Sequence, residues 1–331
     1  MRILRMLVAA AIISVATPAL AAGEKTVVVA FPVEADPEKV VLADDLYEKE
    51  TGYKVEWRKF ETGPEALAAI VGGSVQIAYI GSSPISVAAT RGLPVKLILQ
   101  DRIATSEQLI ARNGSGINDP QKDLIGKKIG VPFGSTAHFA LLGALKHWGI
   151  KETDVTILNL PPSEIAAAWA RGNIDAAYTW APALTEILRT GKRLTDSAEV
   201  GSWGAPTFNG YIVLDSFAKS DPDFVQKFFD LTIEARDDYV KNKWKADSPE
   251  VHKISAFLGI RPEDAVEVLG GLIFPSARDL VTADYFGGGT QKALKSTADF
   301  LVEQKKLDAA GDDYSTIVDP TYAKKAAEKG L

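Results

Sequence analysis

Runs of β-branched apolar residues alternate along this chain with stretches whose apolar positions recur every three or four residues, the pattern of strands followed by helices. TVVVAF (26–31) reads as a buried strand. Behind it, ADPEKVVLADDLYEKETG reads as one helix, with Asp36 as N-cap, Pro37 at the first helical position and Gly52 closing the end. YKVEWRKF (53–60), VQIAYI and PVKLILQ (94–100) follow as strands, separated by helices in TGPEALAAIVGG and SSPISVAATRG. EQLIAR (107–112) then opens a second unit of the same grammar. Its strands are KKIGVPF, DVTILNL and NIDAAYTW, and its helices are GSTAHFALLGALKHWG, PPSEIAAAWARG and APALTEILRTG. Alternation of this kind predicts parallel α/β architecture.

The two units end alike. Val75/Ile174, Gln76/Asp175, Ala78/Ala177, Tyr79/Tyr178 and Pro84/Pro182 fall in the same order around a strand that stops at small residues before a helix. Short α/β units share glycine and proline punctuation for general reasons, yet the run of matches favours two related lobes. From about residue 205 the pattern becomes mostly helical, in DFVQKFFDLTIEARDDYVKN, PEDAVEVLGGL and GTQKALKSTADFLVEQKKL, and these helices are expected to complete the first lobe. The predicted fold is therefore two doubly wound α/β lobes around a cleft. One lobe is formed by 22–102 plus 205–331 and the other by 103–204.

Composition narrows the functional classes. The N-terminal MRILRMLVAAAIISVATPALAA has two arginines, an apolar stretch and an Ala-Leu-Ala site, which reads as a secretory signal over 1–21 and marks the mature chain for export. About 310 residues remain, enough for two ordinary cores without disulfides, and there is no cysteine to form one or to carry a lipid. Removing Arg2 and Arg5 takes the formal charge from −6 to −8, so nucleic acid finds no basic footprint. No cofactor is expected. The three histidines, His138, His147 and His252, are not spaced as a metal pair, and no phosphate-loop, dinucleotide or nucleophile-elbow motif is present. Catalysis is not indicated.

What recurs is a strand ending in small or hydroxylic residues just before a helix: TGPE, GSSP, PFGST and WAP. At the carboxyl ends of strands in such sheets ligands bind, and each helix presents free N–H groups and its positive end there. Several such ends on one cleft make an anion site without lysine or arginine. Ser82, Ser83, Ser135 and Thr136 are each equally ordinary N-caps when taken singly, but jointly they favour a site. Trp180 and Trp203 suit either an apolar pocket wall or the core, and His138, one turn into its helix, suits either an anion or packing.

EWRKFETG, VQIAYIGSSPISVAA, DLIGKKIGVPFGSTAHFALLGALKHWGI, AAAWARGNIDAAYTWAPAL, LTDSAEVGSWGAPTF and DYSTIVDP, in this order, span nearly all of the mature chain. Through them the chain resembles the periplasmic solute-binding proteins of taurine and alkanesulfonate ABC transporters, in particular their taurine-binding type. The larger group includes nitrate-binding and thiamine-precursor proteins. The resemblance implies a two-lobe, class II periplasmic-binding fold that closes on its ligand and delivers it to a membrane permease driven by an ATPase. A monomer is the simplest state for such a device. The resemblance also implies that a sulfonate is held by the GSSP and GST turns, at Ser82, Ser83, Ser135 and Thr136, with Trp180 beside them.

One position departs from that pattern. Where the taurine-binding type is expected to carry an aspartate for the ligand's ammonium, this chain has Asn209, in GAPTFNGY. An amide accepts a hydrogen bond but supplies no charge. Glu34, after the first strand, and Glu65, at the start of a helix, are the candidates to restore it, although acids in a first helical turn are favourable with no ligand at all. Without such a carboxylate the expectation shifts to an amine-free alkanesulfonate or another small organic acid. The group's thiamine-pyrimidine synthases are enzymes of the same fold, but they need metal-binding cysteines that this chain lacks.

Overall fold

The computed structural model describes residues 25–331, and the leader read over 1–21 lies outside the described residues. Eleven strands among them form two sheets. β1 (Thr26–Phe31), β2 (Lys54–Lys59), β3 (Ile77–Gly81) and β4 (Val95–Ile103) belong to the first, and β5 (Glu107–Arg112), β6 (Lys128–Val131), β7 (Thr156–Asn159), β8 (Ala176–Trp180) and β9 (Gly191–Asp196) to the second. β10 (Phe208–Leu214) and the short β11 (Leu272–Ile273) return to the first. The strand orders are β11-β4-β10-β3-β1-β2 and β7-β6-β8-β5-β9.

The second order is the first one repeated. β6, β7, β8 and β9 stand where β1, β2, β3 and β4 stand, and in each sheet one antiparallel strand is inserted beside the third member: β10 beside β3, and β5 beside β8. The matched phrases around Tyr79 and Tyr178 therefore occupy the same place in two like sheets. Each inserted strand is the first the chain forms after crossing between lobes, through 104–106 and 203–207. Arriving from the neighbouring lobe, it enters the sheet from the cleft end and so runs against the strands around it. This is why the sheets are mixed rather than wholly parallel.

Each lobe has its own core. Val27, Val29, Ile77, Leu97, Ile212 and Phe228 are buried in the first, and Leu109, Ile129, Val131, Leu141 and Tyr178 in the second. The C-terminal helices do not all stay on the first lobe. The helix Gly289–Glu303 contributes Leu294 and Ala298 to the first core, whereas Leu301 enters the second. Lys146–Glu303 and Lys306–Glu152 ion pairs fasten that crossing.

The expected helix after β1 is broken in two, Lys39–Ala43 and Leu46–Thr51, with Asp45 in a left-handed conformation between them (φ 53°) and Gly52 closing the second. Asp36 does not cap it. Its carboxylate is fully buried and paired with Lys39 at 2.5 Å, so the segment is governed by a buried charge network rather than by exposed capping.

Candidate functional site

Between the lobes lies a narrow cavity of about 40 Å³, room for about three water molecules. Three helix starts reach it: Thr62, which precedes the helix Gly63–Val71; Gly81, which precedes Ser82–Thr90; and Ser135, which precedes Thr136–His147. Each follows a strand, and each helix leaves its first N–H groups without an intrahelical partner, so the cavity receives three positive helix ends. No lysine, arginine or histidine is among the described residues that line it. Phe60, Tyr79, Ile80, Pro84 and Trp180 supply apolar walls.

The carboxylates set the other half of its chemistry. Glu34 and Glu107, each 5% exposed, line the same cavity from opposite lobes, with Asn209 in the wall as well. Burial pushes Glu34 well above the ordinary carboxylate range, and the charges of Glu107, Asp101 and Asp36 add to this while Lys39 opposes it. Glu107, opposite Trp180 in the β5–β8 ladder, is pushed up to about 7 by burial, although hydrogen bonds from Thr136 and Ser197 pull it down.

Behind Glu34, two buried cations are shared among three carboxylates. Lys39 holds Asp36, and Arg236 bonds both oxygens of Glu38, at 2.6 and 3.1 Å, while standing 3.2 Å from Asp101. Asp101 also accepts the Tyr79 hydroxyl at 2.8 Å, yet burial pushes it up to about 7. Burial works against Glu38 too, but the Arg236 charge and hydrogen bonds hold it below its ordinary range.

Of the ten residues singled out in the sequence, five line the cavity: Glu34, Ser135, Thr136, Trp180 and Asn209. Two of their hydroxyls are engaged. Ser135 donates to the Pro132 carbonyl and caps the His138 N–H, and Thr136 donates to Glu107. The donors this leaves for an anion are chiefly helix-end amides. Ser82 and Ser83 lie just behind the wall, fully buried; Ser82 accepts the Phe208 N–H at 3.4 Å, and the Ser83 hydroxyl has no partner.

Three residues stand apart from the cavity. Glu65 is exposed and turns back to accept the Thr62 N–H at 3.3 Å, a capping arrangement that fixes the helix start. His138 accepts the Gly134 N–H through Nδ1, stacks on Phe133 at 4.6 Å and is pushed down to about 4 by burial, so it braces the PFGST turn as a neutral ring. Trp203 stacks on His147 at 4.0 Å, near the far end of the Thr136–His147 helix.

Glu107 and Thr62 were missed as individual residues. The signal for Glu107 was an ionisable group opening a strand directly after an interlobe crossing. At the mouth, Ser163 donates to Glu61 at 2.7 Å, linking the lobes beside a second cavity of about 320 Å³ on the other side of Trp180.

Comparison with known proteins places the chain among binding proteins. A family model described as NMT1/THI5 like matches residues 43–246. The taurine-binding periplasmic protein of Escherichia coli (strain K12) is 42% identical over 88% of this chain and 91% of its own. A putative aliphatic sulfonates-binding protein of Bacillus subtilis (strain 168) is 31% identical over 86% and 82%. The crystal structure of the periplasmic aliphatic sulphonate binding protein of Escherichia coli superposes with a TM-score of 0.72 at 21% identity, covering 90% of this chain and 93% of that one, which shows a shared fold.

Proposed function

The chain belongs to the NMT1/THI5 like family, and from that premise we propose that it is the solute-binding component of an ABC importer, taking taurine or a close aminosulfonate into the interlobe cleft. One observation carries this reading: a single narrow cavity joins three helix N-termini to two buried carboxylates. The helix ends favour a sulfonate and the carboxylates an ammonium, while the lack of lining cations leaves the anion to backbone donors. Glu34 and Glu107 are the partners of the amino group, and Asn209 adds a hydrogen bond without charge. Trp180 and Phe60 cover the methylenes between the two ends. The chain acts in the periplasm as a monomer and passes its ligand to a permease with its ATPase. The identities to proteins named for binding support this role over a catalytic one.

Asn209, where an aspartate was expected, keeps an amine-free alkanesulfonate as the second reading. Calorimetric titration of the mature protein at neutral pH with taurine, ethanesulfonate and β-alanine separates the two. Taurine is expected to bind far more tightly than ethanesulfonate, with β-alanine showing how much the sulfonate contributes. Equal or tighter binding of ethanesulfonate would transfer the assignment to amine-free ligands. Glu34→Gln should weaken taurine by about 1.5–3 kcal/mol, the range for a hydrogen bond to a charged group, whereas Glu65→Gln should leave it unchanged.

A further inference from the structure

Glu34 follows β1 of the first lobe and Glu107 opens β5 of the second, so the two carboxylates share one small cavity only where the lobes meet. Among the described residues, the neighbouring cations are committed elsewhere. Lys39 is paired with Asp36, and Arg236 with Glu38 and Asp101. The groups around Glu34 are Glu107, Asp101, Asp36 and Lys39, and Glu61 lies on the same cavity wall. Glu107 meets only the hydroxyls of Thr136 and Ser197. Negative charge thus predominates at the closing surface, and closure strips water from both carboxylates as it brings them together.

We infer that this pair selects the ligand by charge: the cleft closes when one positive charge enters between Glu34 and Glu107, brought by the ammonium of a zwitterionic sulfonate or, for an amine-free sulfonate, by a proton taken from solvent. This rests on the aminosulfonate reading. An ammonium satisfies both acids without titration, so taurine binds without net proton exchange. Ethanesulfonate carries no cation, and one of the two carboxyls must be protonated before the lobes meet. The proton adds to a carboxylate oxygen from bulk water or buffer and leaves again when the cleft opens.

The test is calorimetry of the mature protein with taurine and with ethanesulfonate, from about pH 8 to about pH 5.5, in buffers of different ionisation enthalpy. Taurine affinity should stay nearly level, with no proton taken up. Ethanesulfonate affinity should rise toward about tenfold per unit as pH falls, with uptake approaching one proton per ligand. Glu107→Gln should flatten the ethanesulfonate profile, raise its affinity at the alkaline end and weaken taurine. Glu34→Gln provides the same readout from the other lobe should Glu107→Gln fail to fold. Binding of both ligands with level profiles and no proton uptake would overturn the charge requirement while leaving the aminosulfonate reading intact. Taurine binding with ethanesulfonate silent even at the acid end would overturn the proton's role. Silence with both would sink the aminosulfonate reading and this inference together.

Discussion

Gly81 ends β3 where the lobes meet. A Cβ built there would lie 2.5 Å from the Thr136 methyl carbon of the other lobe. The glycine of GSSP is thus required by an approach across the cleft rather than by backbone conformation. Thr136 has little freedom to move aside, since its hydroxyl is donated to Glu107 and its side chain is buried. Gly81→Ala should therefore weaken ligand binding by about 1–3 kcal/mol, the usual cost of overpacking. Adding Thr136→Ser, which deletes the methyl and keeps the hydroxyl, should restore much of it. Calorimetry on the single and double variants checks this, and an unaltered affinity in Gly81→Ala would mean that the ligand-bound lobes do not approach so closely. The same scale explains why residues with similar promise diverged. Glu65 and Glu34 are both acids near helix starts, but Glu65 bonds the backbone at its own helix end, while Glu34 is buried against the cavity.

Among the elements, the helix Pro222–Asn242 does more than cover the first sheet. It buries Phe224, Val225, Phe228, Phe229 and Ile233, and it carries Arg236, fully buried, to Glu38 behind β1 and to Asp101 in β4. Tyr79, Tyr211 and Phe274 surround the guanidinium at 5.0–6.0 Å from their ring centres. One cation thereby fixes the loop after β1 against the sheet and sets the background charge that Glu34 meets. Arg236→Leu would leave the buried Glu38 and Asp101 carboxylates without their cation, and breaking a buried pair in this way costs about 3–5 kcal/mol. Urea unfolding followed by circular dichroism measures it. A loss below about 1 kcal/mol would show that water reaches Glu38 and Asp101 once the arginine is gone.

For the whole molecule, the buried acids make stability depend on pH in an unusual direction. Asp36 and Asp101, buried within the first lobe, are each raised to about 7 by burial. A carboxyl whose folded value lies above its unfolded one holds its proton longer in the native state. Its contribution is complete below the unfolded value, near 4, and is lost as pH rises through the folded value. His138, lowered to about 4, acts the other way, removing stability as pH falls below its ordinary value. With two such acids against one histidine, the ligand-free protein should resist urea better at about pH 5.5 than at about pH 7.5. Denaturation midpoints at the two values decide it, and a midpoint that rises toward pH 7.5 would show these acids to be solvated in the free protein.

Secondary structure, two like α/β units and the glycine, serine and proline turns at the strand ends were legible in the sequence, because periodicity, capping and turn chemistry act over a few neighbouring residues. The helix expected from residue 35 begins only at Lys39, where Asp36 and Glu38 pair with Lys39 and with Arg236, the latter nearly two hundred residues away. The site divided along the same line. That helix starts would gather at a cleft followed from the order of strands and helices. That Glu107 joins Glu34 there did not, since Glu107 is brought to Glu34 by two lobes meeting, and no periodic pattern records which surface of one folded lobe faces another. Sequence determined what each lobe is made of, and the tertiary structure alone decided which charges those lobes enclose.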